Sequence, residues 1–228
     1  LGKSREAESY KLAGEEMIFQ DLLLNTKNWR RLFKSFKKGK LPHALLFHGP
    51  AGSGKEGHAL ELAALLNCIF PNNEGACGKC PSCKKTLSFH HEHVKLITPL
   101  PRGKISSKED PVVKAFTEKS LNEYLDLLKQ KAEDPYFPIR VQGANTILIN
   151  SIRELKHEVS MSSINNDWKV FLIFQADKLC IPNPTSAHAL LKVLEEPPPK
   201  TLFILVSSQP RAILDTIHSR CQKVFFPA

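Results

Sequence analysis

Five short runs dominated by apolar residues recur along the chain, near residues 43–48, 94–98, 169–174, 201–206 and 222–226. All five read as strands, and those at 43–48 and 169–174 are apolar runs typical of buried strands in a parallel sheet. Between them the apolar residues take a helical period. Trp29, Leu32, Phe33 and Phe36 stand at i, i+3, i+4 and i+7, predicting an amphipathic helix over 27–40 with its stripe in the core. In 57–67, Ala59, Leu62, Ala63 and Leu66 share one face of a second helix, and in 116–131, Leu121, Leu125 and Leu128 share one face of a third. Strands alternating with helices predict an α/β fold: a twisted parallel sheet of five strands with helices on both faces.

Composition narrows the class. With 228 residues, 42% hydrophobic and 24% charged, the chain is globular, neither a disordered tail nor a fibrous repeat. No stretch approaches the roughly 18 apolar residues of a membrane span. Residues 1–16 lack the apolar segment of a signal peptide and read as a flexible leader or an artificial extension, with Met17 as a natural start; a cytoplasmic location is expected. The net charge of +9 points weakly to a polyanionic partner. Lys27, Arg30, Arg31, Lys34, Lys37, Lys38 and Lys40 crowd one segment with no acidic residue. That face either meets DNA phosphates or is simply solvated.

Four of the six cysteines form the run Cys68-x8-Cys77-x2-Cys80-x2-Cys83. Two overlapping C-x2-C steps plus an upstream cysteine suit tetrahedral thiolate ligation of zinc, and four thiolates leave no open position, so the site would be structural. A redox C-x-x-C pair is the alternative. Cys180 and Cys221 lie far from this run, and Cys180 reads as a core residue. His90, His91 and His93 are poorly spaced for a second metal site and read as a loop.

After the first predicted strand comes Gly49-Pro50-Ala51-Gly52-Ser53-Gly54-Lys55-Glu56, the pattern G-x-x-x-x-G-K between strand and helix. Such a loop wraps phosphate with backbone N–H groups, and Lys55 would reach the outer phosphates. A working loop places Ser or Thr after the lysine to bind Mg2+; here Glu56 stands there. The strand 169–174 should end in acidic residues that hold the same metal, but Phe174 and Gln175 occupy those positions, and Asp177 comes two residues late. Both metal-binding elements are altered, so ATP with Mg2+ is expected to bind weakly or not at all.

These residues resemble the bacterial clamp-loader subunits of DNA polymerase III, members of the AAA+ family, over most of 18–228. HALLFHGPAGSGK at 43–55, the cysteine run, INSIREL at 149–155, AHALLKVLEEPP at 187–198 and Ser219-Arg220-Cys221 are similar to that family's motifs in the family's order. The altered P-loop resembles the delta-prime type more than the gamma/tau type. The resemblance implies a P-loop domain over 17–228 with an inserted zinc module at 68–83. It implies an arginine finger, Arg220, offered to a neighbouring subunit's ATP. It also implies a sensor-1 position at Ser207 and Ser208, which read equally well as turn residues. The implied partners are gamma/tau and delta subunits, the sliding clamp and primer–template DNA. Residues 100–145 read as an insertion of unknown role, and the family's helical lid and collar are expected to be missing from this piece. Two other readings stay open: an active gamma/tau-type ATPase using Glu56, and a zinc-stabilised nucleotide-binding module outside replication.

Overall fold

The computed structural model describes residues 10–12, 17–161 and 167–228. The five expected strands are present as β3 (Ala44–His48), β4 (Val94–Ile97), β5 (Lys169–Phe174), β6 (Thr201–Ser207) and β7 (Gln222–Phe225). They form one parallel sheet in the order β4-β5-β6-β3-β7. Parallel neighbours need crossover connections, and helices supply them. Of the stretch expected as a leader, Tyr10–Leu12 form a short strand, β1, antiparallel to β2 (Leu23–Asn25); its other residues lie outside the described set.

Successive strand residues point to opposite faces and divide the core in two. Leu45, Phe47, Val170, Leu172, Phe174, Leu202, Ile204 and Val206 face one cluster. That cluster also takes Trp29 and Leu32 of α1 (Thr26–Lys37) and most of α2 (Lys55–Asn67). Ala44, Leu46, Phe171, Ile173, Phe203 and Leu205 face the other, with α5 (Ile149–Ser160) and α6 (Thr185–Glu195). Both faces of the central strands β3, β5 and β6 are therefore covered, which explains their uninterrupted apolar runs, whereas the edge strand β7 leaves Lys223 and Phe225 exposed.

α1 has the expected amphipathic form. Asn25 caps it by accepting from Asn28 N–H at 3.0 Å, and its basic residues are exposed. Two expectations about helix faces do not hold. α2 is not one-sided: every residue from Gly57 to Leu66 is buried, because the sheet, α3 (Pro81–Leu87) and the 17–25 segment enclose it. In the 100–145 segment, α4 (Glu118–Glu133) packs through Tyr124 and Leu127 as well as the expected Leu128, while Leu125 is 42% exposed and the buried residue is Lys131.

Candidate functional site

The phosphate loop leaves β3 at the carboxyl end of the sheet and runs straight into α2. Gly49 has φ 149°, and a Cβ there would meet Phe226 O at 1.9 Å, so only glycine lets the loop pass the end of β7. Gly54, with φ 72°, turns the chain into the helix at Lys55. His58, one turn on, locks this corner. Asn25 N–H donates to its Nε2 at 2.8 Å, which puts the proton on Nδ1, and Nδ1 donates to Gly54 O at 2.8 Å. Burial pushes this imidazole down to about 4, so it is neutral.

Lys55 is 6% exposed, and its Nζ donates back to Pro50 O at 2.5 Å and Ser53 Oγ at 3.1 Å. Burial lowers its pKa, against an opposing effect from Glu56. Glu56 projects toward α4, where Lys131 Nζ lies 2.6 Å from its Oε2. Around the loop is a cavity of about 450 Å3, lined by Ala51–Glu56, Gln175, Asp177, Ser207 and Ser208, with one wall from residues between Lys131 and Asn145. Gln175 adopts a left-handed backbone and donates to Ile139 O at 2.9 Å, tying the end of β5 to that wall. Ser207 is buried and donates to Asp177 Oδ1 at 2.6 Å, while Ser208 is exposed. Asp177 therefore lines the same cavity but is held by Ser207.

The four cysteines come from the end of α2, the following loop and the start of α3. Their Sγ atoms all lie within 4.8 Å of one another. A tetrahedral ion with bonds of about 2.3 Å sets sulfurs roughly 3.8 Å apart, and Cys77 and Cys83 stand at 4.0 Å. Backbone N–H groups already aim at the sulfurs: Cys77 N to Cys68 at 3.2 Å, Cys80 N to Cys77 at 3.3 Å, and Cys83 N to Cys80 at 3.4 Å. Pro81 at the first position of α3 suits the turn that lets Cys80 cap the helix. Burial pushes the Cys80 thiol up. The Cys83 and Ile69 N–H groups and the neighbouring thiols outweigh it and bring the thiol down to about 6. Burial and the other sulfurs push Cys83 far up. The spacing and the soft donor set fit one tetrahedral metal ion. The histidines do not form a second set: His91 bonds Ser82 Oγ at 2.9 Å, and His93 faces Asp167.

Arg220 lies at the other end of the sheet. It follows the short helix α7 (Asp215–His218) and precedes β7, whose far end abuts Gly49. Four strand residues, about 13 Å of chain, separate it from its own phosphate loop. Its guanidinium donates to Glu195 Oε1 at 2.8 Å and Thr216 O at 2.9 Å and is about one-third exposed. The next residue, Cys221, is buried and anchors the turn.

The sequence signals missed Lys131 and His58, and they marked Gln175 only as a lost acidic position, not as the tie to Ile139 O. Only Glu56, a carboxylate beside the loop lysine, hinted that a cation must stand opposite.

Comparison with known proteins agrees with this geometry. The family model described as "DNA polymerase III, delta subunit" matches residues 24–228. The DNA polymerase III subunit delta' of Bacillus subtilis is 29% identical over 89% of this chain and 47% of that protein. The subunit delta' of Pseudomonas aeruginosa is 31% identical over 78% of this chain and 41% of that protein. The B. subtilis subunit tau is 26% identical over 91% of this chain and 29% of its own length. The chain thus spans less than half the length of each of these relatives. A P-loop α/β sheet and a four-cysteine cluster, together with a family model that matches nearly the whole chain, lead to one assignment: the chain belongs to the DNA polymerase III delta subunit family.

Proposed function

We propose that this chain is a delta-prime-type subunit of a bacterial clamp loader, helping to place a sliding clamp on primed DNA. Its partners are gamma/tau-type and delta subunits, the clamp, and primer–template DNA met by the assembled complex. It works as a scaffold and as a donor of one arginine rather than as the motor. The observation that carries this reading is the placement of Arg220. The residue stands across the sheet from its own phosphate loop, on an exposed turn, where a phosphate it meets belongs to a neighbouring molecule. An arginine offered in this way stabilises charge on the transferring phosphoryl group and raises the rate by about 10³–10⁵-fold.

Arg220 is held ready by Glu195. A half-exposed ion pair is worth at most about 1 kcal/mol, so a phosphate in the partner site can take the arginine away. The chain's own cavity contributes no hydrolysis. Glu56 and Phe174 replace two groups that would hold the metal, and Lys55 is engaged by its own loop. Zinc is the ion that best suits Cys68, Cys77, Cys80 and Cys83. Bound there, it would fix the 68–83 loop and α3 against α2 and take no part in chemistry. The exposed basic face of α1 supplies sequence-independent attraction for DNA phosphates.

Co-purification tests membership in the assembly. The protein should assemble with gamma/tau-type and delta subunits, and clamp should appear on primed DNA only when it is included. Failure to assemble, or clamp loading at full rate without it, removes the reading.

A further inference from the structure

P-loop domains that use ATP hold Mg2+ between the hydroxyl after the loop lysine and an acidic residue at the end of the neighbouring strand. Here those two positions are Glu56 and Phe174. In the fold they converge on a single group, the Lys131 ammonium of α4. Lys131 Nζ lies 2.6 Å from Glu56 Oε2 and 6.0 Å from the centre of the Phe174 ring, a cation–π arrangement. It also donates to Pro135 O at 2.7 Å and Phe137 O at 2.9 Å. Its three protons thus have three acceptors, and the side chain is 1% exposed. A buried lysine is rare unless paired, and this one is paired with the residue that replaced the metal's ligand.

We propose that Lys131 is a built-in cation that takes the place of magnesium, making this phosphate loop blind to divalent metal. The departures at Glu56 and Phe174 and the insertion that supplies Lys131 are then one device. The carboxylate holds the ammonium, the aromatic ring covers it, and the loop 135–137 completes its shell. A divalent ion cannot enter without expelling Lys131 against Glu56 and two carbonyl oxygens. With all three protons bound, the ammonium does not reach into the cavity toward a phosphate. It closes the metal corner while the rest of the cavity stays open.

Take the amine away and the same corner becomes a hard-oxygen site. The Glu56 carboxylate and the carbonyls of Pro135 and Phe137 are the donors that Mg2+ and Mn2+ prefer.

The inference rests on reading this chain's own ATP site as altered, and its test does not depend on assembly with other subunits. The zinc-loaded protein is titrated with MnCl2, with and without ADP, while free Mn2+ is followed by electron paramagnetic resonance. The wild type should leave Mn2+ free beyond what ADP alone binds, and any ADP affinity should be the same in Mg2+ and in chelator. Lys131→Met should gain one bound Mn2+ per chain, and adding Glu56→Gln should abolish that gain. Glu56→Thr alone, which restores a hydroxyl but keeps Lys131, should stay blind to Mn2+; it decides the matter if Lys131→Met does not fold. The inference falls if the wild type or Glu56→Thr binds Mn2+ at this corner. It also falls if folded Lys131→Met gains none. Failure of the subunit assembly described above would leave these outcomes unchanged.

Discussion

Replacing Glu61 by Gln should remove a pH dependence from the stability of this domain. Glu61 lies in the middle of α2, fully buried, with Oε1 accepting from Phe19 N–H at 2.7 Å. Burial pushes its carboxyl up from 4.5 to about 8, against the pull of the Phe19 and Ile18 N–H groups. The folded protein therefore keeps a proton that the unfolded chain releases above pH 4.5. The stabilising contribution is complete below that point, declines as pH rises, and is spent once the buried carboxyl ionises near pH 8. At about 1.4 kcal/mol per pH unit, the full interval is on the order of 5 kcal/mol, a large share of a domain's usual net stability of about 5–15 kcal/mol. His58 bears the opposite sign. Its pKa is depressed to about 4, so its contribution is present above pH 6.5 and lost only as the pH falls below that. Between pH 6.5 and 8 Glu61 acts without it. Urea unfolding of wild type and Glu61→Gln at several pH values in that range should show the wild type losing roughly 2 kcal/mol relative to the variant. The amide does not titrate, and its N–H2, placed where Glu61 Oε2 has no partner, adds a constant cost of about 1–3 kcal/mol. A constant difference between the two proteins across that range would refute the reasoning.

Gly49→Ala should be among the most damaging single substitutions. Its Cβ would fall 1.9 Å from Phe226 O at a backbone angle that favours glycine, and a loss of about 3 kcal/mol or more is expected in urea unfolding. Chelator treatment should expose four thiols, those of Cys68, Cys77, Cys80 and Cys83, to a thiol reagent and lower the melting temperature, with zinc restoring both. Charge reversal at Lys34 and Lys37, both exposed on α1, should flatten the salt dependence of primer–template binding by the assembled complex; an unchanged slope would mark that face as merely solvated.

The parts of the fold most legible in the sequence are those whose signal is local. The three central strands, β3, β5 and β6, announced themselves because a strand covered on both faces has no polar side to interrupt it, as in KVFLIF at 169–174. The phosphate loop was legible because Gly49 and Gly54 meet steric demands that other residues fail, and the cysteine cluster because its ligands lie within sixteen positions. The faces of α2 and α4 were harder to read. α2 is enclosed on all sides, which erases its helical period. α4 packs through Tyr124 and Leu127 as well as Leu128, so the spacing of Leu121, Leu125 and Leu128 placed the stripe off-centre, with Leu125 exposed. Lys131 was out of reach for the same reason. Its partner is 75 residues away, and a lysine in a run rich in charge looks like a solvated one until the chain folds it against Glu56.

The central claim is that this domain acts at a neighbour's phosphate and not at its own. The direct measurement is DNA-stimulated ATP turnover by the reconstituted complex carrying either Arg220→Ala or Lys55→Ala in this chain. Turnover should collapse at the site facing Arg220 in the first variant and stay at the wild-type rate in the second. Normal turnover with Arg220→Ala, or a collapse with Lys55→Ala in a complex that still assembles, would contradict it.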